Sequence, residues 1–294
     1  KLNSARGAAN RWGMVYEYGR FAGLQVLLQS VLSGAVLITP DLSDPLETQI
    51  AFLADQDCTH LSATPTLWRK IIMTRGHDTI PLQQVTMGGE IADDRILAAA
   101  KATYPQARVV HIFASTEAGV GFSVADGLAG FPEQFLTDPP AGVGLHIHDD
   151  QLYVRNTDVQ AKYLNSDVSF ADADGWVSTG DSVTRKDGRV YFLGRANGVI
   201  NVGGNKAHPE EIERILRDHD AVAAVRIYAK SNPFTGALVA ADVVLRDPNA
   251  DQKEARTAIL DYAKTRLIKH EVPQLLKFVD GFDTNAAGKM IRKR

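Results

Sequence analysis

The sequence has a single cysteine, Cys58, among its 294 residues. One thiol cannot form an internal disulfide, and so little cysteine is typical of proteins in a reducing compartment such as the cytoplasm. The flanking residues, Gln56-Asp57 and Thr59-His60, match no motif of a catalytic cysteine. We therefore expect Cys58 to be a buried core residue and not a nucleophile.

Long apolar runs and runs of one charge sign are also absent. The most apolar stretch, Phe21–Pro40, contains two glutamines and two serines, which predicts a helix and a strand in place of a membrane span. The first 12 residues have no apolar core, so no secretory signal is expected. The formal net charge of −3 argues against a nucleic-acid-binding surface.

Strands alternate with helices through the first part of the chain. Six apolar residues spaced as on one helix face predict a helix that Gly34 ends: Leu24, Leu27, Leu28, Val31, Leu32 and Ala35. Predicted strands cover Ala35–Thr39 (as a buried strand), Thr59–Ala63, Leu82–Met87 and Val109–Phe113, and further helices begin near Pro45, Pro65 and Ala92. This alternation predicts an α/β layer with a largely parallel sheet.

The pattern changes twice after this layer. Beyond Gly119, proline-rich loops and short strands such as Gln151–Arg155 predict a small β-rich subdomain. Beyond Asn197, helix and strand patterns resume, including helices at Pro209–Arg217 and Gln252–Ile268. We therefore expect a large α/β domain portion over residues 1–196 and a smaller α+β domain over 197–294 that acts as a lid.

Two strand exits carry candidate ligand-binding residues, because ligands of parallel sheets bind beyond the carboxyl ends of the strands. The first is Gly88-Gly89-Glu90, whose bare backbone could lie against a flat ring. The second, Phe113–Gly119, offers an aromatic ring, two hydroxyls and a carboxylate. Considered alone, the second exit could equally be a polar turn after a core phenylalanine.

The stretch Trp176–Glu213 contains a Thr-Gly-Asp turn, Arg195 and a glycine-rich link. Asp181 and Arg195 supply a carboxylate and a guanidinium fork that can hold hydroxyls and phosphates, so we expect a polar ligand at a domain junction. The pattern His146-x-His148 offers only a weak metal signal, since alternate residues of a strand usually form one solvated face.

The motifs in combination resemble the adenylate-forming superfamily of acyl- and aryl-CoA synthetases, carrier-protein adenylation domains and luciferases. The resemblance rests on motifs in the order and spacing of that family: Phe113–Glu117, Gln151–Arg155 with Lys162-Tyr163-Leu164, Ser178–Asp181, Gly194-Arg195, Gly203–Lys206 before Pro209–Glu213, and Asn285-x-x-Gly288-Lys289. Members of the family activate a carboxylate with ATP to an acyl-adenylate and pass the acyl group to a thiol.

The resemblance implies a nucleotide site on the large domain. Gly88, Gly89 and Glu90 would line the adenine, with Phe113 on its face and Ala114 in place of the family's usual glycine. Thr116 would bind phosphate. Glu117 would hold Mg²⁺, a cation that prefers carboxylate oxygen and water.

Other residues would complete the reaction centre. Asp181 would accept both ribose hydroxyls, and Arg195 would assist at the ribose or phosphate. Lys289, in the small domain, would stabilise charge where the carboxylate meets the α-phosphate. Rotation of that domain about Asn197 would then bring Gly203 and Gly204 to a thiol tunnel.

The acyl pocket implied by the resemblance is bordered by Tyr18, Phe21, Gly23, Gly119 and Gly121, whose small members would leave room for a ring or chain. Core packing is an equally good interpretation of Phe21. No buried acid suited to an amino-acid amine is evident, so a plain carboxylic acid is the preferred substrate, and its identity stays open.

Three functions remain possible. The first is an acyl- or aryl-CoA ligase, with ATP, Mg²⁺ and coenzyme A. The second is a stand-alone adenylation enzyme that loads the phosphopantetheine of an acyl carrier protein. The third is a non-catalytic homologue, which the joint presence of Glu117, Asp181 and Lys289 disfavours.

The family's glycine-rich phosphate loop is not found in residues 1–19. Such loops bind phosphates through backbone N–H groups. The chain therefore resembles the C-terminal part of a longer enzyme, or a split or degenerate homologue. We predict that the purified 294-residue chain catalyses no ATP–pyrophosphate exchange. Exchange at the rate of a full-length family member would contradict this expectation.

Overall fold

The computed structural model describes residues 7–140, 142–157 and 169–283 of the chain. The first of its three sheets has six strands in the order β2-β1-β3-β4-β5-β6, of which the first five are parallel and β6 is antiparallel to β5. The strands are β1 (Arg11–Met14), β2 (Val36–Ile38), β3 (His60–Ala63), β4 (Gln84–Gly88), β5 (Arg108–Ser115) and β6 (Gly119–Val124). The connecting helices are α1 (Phe21–Ser33), α2 (Leu46–Asp55), α3 (Pro65–Met73) and α4 (Asp94–Thr103).

The second sheet is antiparallel and has the strand order β7-β11-β10-β9-β8. Its strands are β7 (Phe131–Pro132), β8 (Val143–His148), β9 (Gln151–Asn156), β10 (Val177–Lys186) and β11 (Arg189–Arg195). This sheet is the β-rich subdomain that the sequence predicts. The tight turn between β10 and β11 places Asp187 and Gly188 at positive φ, where aspartate and glycine are well tolerated.

The third sheet, with two helices, forms what we call the C-terminal unit (residues 200–283). Its strands are β12 (Ile200–Val202), β13 (Asn205–Ala207), β14 (Val222–Asn232), β15 (Gly236–Leu245) and β16 (Leu275–Phe278), which pairs parallel with β15. The helices are α5 (Pro209–Arg217) and α6 (Gln252–Arg266). A 3₁₀ turn, Ala196–Gly198, links this unit to the second sheet.

Each sheet has its own apolar core. Buried residues of the first sheet's core include Trp68, Met87 and Leu97, and those of the C-terminal unit include Ile212, Val239 and Ile259. The core of the second sheet also takes in Phe122 of β6, so the first two sheets are joined by shared packing. The predicted α/β layer, β-rich subdomain and α+β unit are therefore confirmed as elements of the fold. Within the described ranges, no helix combines the length and hydropathy needed to cross a bilayer.

The apolar face of α1 does not pack on the sheet. Leu24, Leu28, Val31 and Leu32 are 45–66% exposed. The buried residues are instead Gly23, Val26, Ser30 and Ser33. Small side chains let the helix approach β1 closely, and each buried serine hydroxyl donates to a backbone carbonyl of its own helix, so neither hydroxyl is left unsatisfied. The prediction that Ala35–Thr39 is a buried strand is also wrong in part, because Val36 lies at the sheet edge and is 43% exposed.

This packing predicts unequal effects of one substitution at two positions of α1. Val26→Ala should lower the free energy of unfolding by about 1–2 kcal/mol, because it empties a buried site against Trp12 and Tyr16. Val31→Ala should change it by less than about 0.5 kcal/mol, since that side chain is exposed. Both variants gain the same helix propensity, so urea unfolding of the pair isolates burial. Equal losses would contradict this packing, and a larger loss in Val31→Ala would mean that the helix is packed the other way round.

Candidate functional site

Chemically useful residues gather at the edge where the parallel strands of the first sheet end. β1, β3, β4 and β5 all finish at this edge. The segments that follow them carry Tyr16, Thr64, the Gly88-Gly89-Glu90 turn and Thr116-Glu117. This is the place where parallel sheets bind ligands.

The Gly88-Gly89-Glu90 turn is fastened to helix α3. Oε2 of Glu90 accepts a hydrogen bond of 2.9 Å from the backbone N–H of Thr66 in the first turn of α3. The hydroxyl of Thr64 accepts from Leu67 N–H at 3.1 Å and caps the same helix. The Glu90 carboxylate therefore supports the helix N-terminus, where negative charge is favourable. Gly89 has φ 78°, a conformation that favours glycine.

Behind this turn lies a buried tyrosine. Tyr16 is 2% exposed and shares a side-chain hydrogen bond with Ser62 at the end of β3. Burial, with a smaller contribution from the Glu90 charge, raises the pKa of the Tyr16 phenol well above its usual value. The phenol is therefore neutral.

Phe113 joins the first two sheets through aromatic stacking. Its ring lies 5.3 Å from the ring of Phe122 and 5.3 Å from that of Phe192 on β11, at interplanar angles of 16° and 7°. A Cβ on Gly121 would come within 2.9 Å of the Phe113 ring. Gly121 thus leaves room for the Phe113 ring on its Cβ side, and its place beside an acyl pocket stays a prediction.

The turn after β5 is held from two sides. The Ser115 hydroxyl accepts a hydrogen bond of 3.0 Å from Ala118 N–H. The side-chain amide of Asn156, at the end of β9, donates to the carbonyls of Ala118 and Val120 at 3.1 and 3.3 Å. These contacts leave Thr116 and Glu117 exposed between them. The turn thus presents a hydroxyl and a carboxylate to solvent from a fixed backbone.

Asp181 and Arg195 face each other across β10 and β11 as cross-strand partners. Nη1 of Arg195 donates to Oδ1 of Asp181 at 3.1 Å and to the carbonyl of Thr179 at 2.7 Å. The Asp181 side chain is 18% exposed and that of Arg195 is 56% exposed. Phe192, three residues before Arg195 on the same strand, stacks on Phe113 of β5.

The other residues predicted to border the acyl pocket lie in different parts of the fold. Tyr18 is exposed before α1 and Phe21 begins that helix, while any side chain at Gly23 would collide with the backbone of Glu17. Gly119, at φ 69°, begins β6. Gly23 thus lets the start of α1 lie directly against the backbone of Glu17, and its place at an acyl pocket stays a prediction.

The predicted pivot and tunnel residues lie farther along the chain. Asn197 is exposed in the 3₁₀ turn between the second and third sheets. Gly203 and Gly204 form the exposed turn of the β12–β13 hairpin, next to Thr235. Lys289 and the Lys162-Tyr163-Leu164 segment lie outside the described residues.

No metal centre is assembled from protein side chains alone in residues 7–140, 142–157 and 169–283, where no three histidine, cysteine, aspartate or glutamate side chains group together. His146 lies instead in an aromatic group, 4.9 Å from the Tyr153 ring and 4.2 Å from Trp176. Glu117 is accordingly a lone exposed carboxylate. Such a group suits Mg²⁺, which is commonly held by one or two carboxylates with water and phosphate oxygens.

Comparison with known proteins matches this arrangement to one family. The model of the AMP-binding enzyme family matches residues 6–166, more than half of the chain, and that of the AMP-binding enzyme C-terminal domain matches residues 211–289. The chain belongs to the AMP-binding enzyme family.

Relatives of this AMP-binding chain include a 2-succinylbenzoate–CoA ligase of Bacillus licheniformis, 25% identical over 100% of the chain and 63% of the ligase. Two solved structures have the same fold. An ATP-bound MatB from Rhodopseudomonas palustris gives a TM-score of 0.80 at 18% identity, covering 97% of the chain and 59% of MatB. The amide bond synthetase McbA from Marinactinospora thermotolerans gives 0.78 at 20%, covering 97% and 60%. The chain thus spans about three-fifths of the length of these proteins.

The structure also reveals residues of this AMP-binding chain that the sequence analysis overlooked. Asp93 caps α4 by accepting from Ile96 N–H at 3.0 Å, and the same carboxylate binds Arg69 of α3 at 2.6 Å. Asn156 was likewise not singled out. An aspartate just before a helix is a recognisable capping signal, but its arginine partner and the role of Asn156 depend on tertiary contacts.

The capping role of Glu90 can be tested by two substitutions. Glu90→Ala should lower the free energy of unfolding by about 1–2 kcal/mol, because the N–H of Thr66 loses its acceptor. Glu90→Gln keeps an acceptor oxygen and should lose less than half as much. Urea unfolding of both variants against wild type measures the difference. Identical losses would show that the hydrogen bond to Thr66 is not what the carboxylate contributes.

Proposed function

We propose that the protein containing this chain is an AMP-forming acid–thiol ligase. It would activate a carboxylic acid with ATP to an acyl-adenylate, release pyrophosphate and transfer the acyl group to the thiol of coenzyme A. The observation that carries the proposal is the Asp181–Arg195 pair at 3.1 Å, joined through the Phe192–Phe113 stack to the strand ends of an AMP-binding fold.

The nucleotide would lie across this junction. Asp181 has a carboxylate fixed by Arg195 and facing partly to solvent, which suits two ribose hydroxyls. The Gly88-Gly89-Glu90 turn would offer backbone to the adenine, since the Glu90 side chain is turned to α3. Phe113 would border the ring while packing on Phe122 and Phe192.

The phosphates would lie toward the turn after β5. Thr116 would donate a hydrogen bond to phosphate, and Glu117 would hold Mg²⁺, which supplies charge neutralisation on the phosphate oxygens when bound. Lys289 keeps the role implied by its sequence motif, as the cation that stabilises charge where the carboxylate oxygen meets the α-phosphorus. Positioning and electrostatic stabilisation are the main contributions that a protein makes to such a transfer.

We also propose a division of the protein into two mobile parts. The boundary would lie at residues 196/197, inside the exposed turn that contains Asn197. Separate apolar cores on the two sides of this turn support the division. Rotation there would exchange Lys289 for the Gly203-Gly204 hairpin at the active site, so one site would serve both half-reactions.

The substrate class is a plain carboxylic acid of low molecular weight, with an aryl acid as the first choice. The ligase of Bacillus licheniformis is named for 2-succinylbenzoate, an aromatic acid, which supports this choice.

A reducing compartment, the cytoplasm, is proposed from the cysteine content: Cys58 is fully buried, and burial raises the pKa of its thiol to about 11.

The proposal predicts that Asp181→Asn weakens AMP binding. The Kd for AMP in the protein that carries this chain should rise by about 10- to 100-fold, because a charged acceptor of two hydroxyls is lost. Asp187→Asn is the matched control, since Asp187 is in the same hairpin at a positive φ that asparagine tolerates. Isothermal titration calorimetry measures both. Equal affinities in the two variants would refute the ribose role.

The reaction products identify the thiol that accepts the acyl group. Incubation of the same protein with ATP, Mg²⁺ and a panel of aryl and alkyl acids, followed by mass spectrometry, should detect an acyl-adenylate. Addition of coenzyme A should convert it to an acyl-CoA. Conversion only with a phosphopantetheinylated carrier protein would replace the ligase proposal by a carrier-loading one.

A further inference from the structure

Helix α5 of the C-terminal unit has two faces with different partners. Ile212 and Leu216 are fully buried in the core of that unit. Glu210, Arg214 and Arg217 occur at i, i+4 and i+7, so they form a polar stripe on the other side of the helix. Both ends of this stripe reach residues outside the C-terminal unit.

The first end lies against β11. A Cβ on Gly194 would overlap the carboxylate of Glu210, so the glycine allows the helix start to rest directly on the strand. Gly194 comes immediately before Arg195 and two residues before the 3₁₀ turn. The helix is therefore seated close to the proposed pivot.

The second end reaches the first sheet's helices by an ion pair. Nη1 of Arg217 lies 2.9 Å from Oδ2 of Asp93, across 124 positions of sequence. Arg95, in the first turn of α4, donates from Nη1 to the backbone carbonyl of Arg217 at 2.8 Å. The same nitrogen lies 3.6 Å from Oδ1 of Asp218. One contact made by Arg217 and two made by Arg95 thus join the end of α5 to the start of α4.

Asp93 is the shared member of this group, and it is largely removed from solvent. Its side chain is 12% exposed, and those of Arg69 and Arg217 are 28% and 24% exposed. One carboxylate therefore caps α4, anchors α3 through Arg69 and receives Arg217 from the C-terminal unit. Loss of Arg217 leaves Asp93 still paired with Arg69, whereas loss of Asp93 leaves two guanidinium groups without their acceptor.

We propose that Arg217 is a positioning residue whose ion pair with Asp93 holds the C-terminal unit in the arrangement seen here. Because Asp93 is three residues after Glu90, the contact couples that arrangement to the turn proposed to line the adenine. Rotation of the unit about Asn197 separates the pair, so its strength sets how readily the unit leaves this arrangement. The consequence for catalysis rests on the proposed function, but the contact itself does not.

A distance measurement tests the contact without any activity. Ala102→Cys on α4 and Ala258→Cys on α6 place labels on exposed helix positions of the two parts. Cys58 is fully buried, so it does not compete for spin labels. Double electron–electron resonance on the protein that carries this chain should show one dominant distance between these labels.

Arg217→Gln should broaden this distribution and lower the population of the dominant distance, relative to the others, by about tenfold, as expected when a largely buried charge pair is broken. Arg217→Lys should recover part of the population, because an ammonium can still pair with Asp93. Arg214→Gln is the matched control: Arg214 is on the same helix and pairs with Glu211 of its own unit. An unchanged distribution in Arg217→Gln, or an equal change in Arg214→Gln, overturns the proposal.

Kinetics then separate this inference from the proposed function. Arg217→Gln should change the ratio of adenylation rate to thioester-forming rate by about tenfold, with KM for ATP within about twofold, and Arg217→Lys should restore part of the ratio. A shifted distance distribution in a protein without either half-reaction would support the contact and refute the ligase. Both half-reactions with an unaltered distribution and ratio would support the ligase and refute the contact.

Discussion

The candidate site depends on a constraint of parallel strand pairing. Strands β1, β3, β4 and β5 run in one direction, so the segments that follow them must emerge at one edge of the sheet. That edge collects a glycine turn, three hydroxyls and two carboxylates from segments that are widely separated in sequence. These segments form a candidate ligand-binding site only because they emerge at the same edge of the sheet.

Those segments are fixed by contacts with residues that lie outside them. Glu90 binds the N-terminus of α3, Asp93 binds Arg69 and caps α4, and Asn156 holds the turn after β5 from the second sheet. A loop that lines a ligand must be held in place before the ligand arrives, since ordering it on binding would cost affinity. The charged and polar residues nearest the site are thus partly structural.

Aromatic contacts join the first two sheets, whereas ionic contacts join the C-terminal unit to the rest of the molecule. The Phe113 stack with Phe122 and Phe192 joins the first two sheets through apolar surface, which is not readily separated. The C-terminal unit meets the rest at the ends of α5 through charged groups and a glycine. An interface of that polar kind is compatible with relative motion.

Much of the architecture followed from the sequence, because local patterns determine local structure. The helix Pro209–Arg217 was predicted to the residue, and the structure shows its proline start and acidic first turn. The motif order was sufficient to identify the family. The exposed face of α1, the close contacts at Gly23 and Gly121, and the sharing of Asp93 by Arg69 and Arg217 were decided only by the tertiary structure. Periodicity shows that a helix has two faces, but which one is buried depends on the shape of its neighbour, and an ion pair across 124 residues has no local signature.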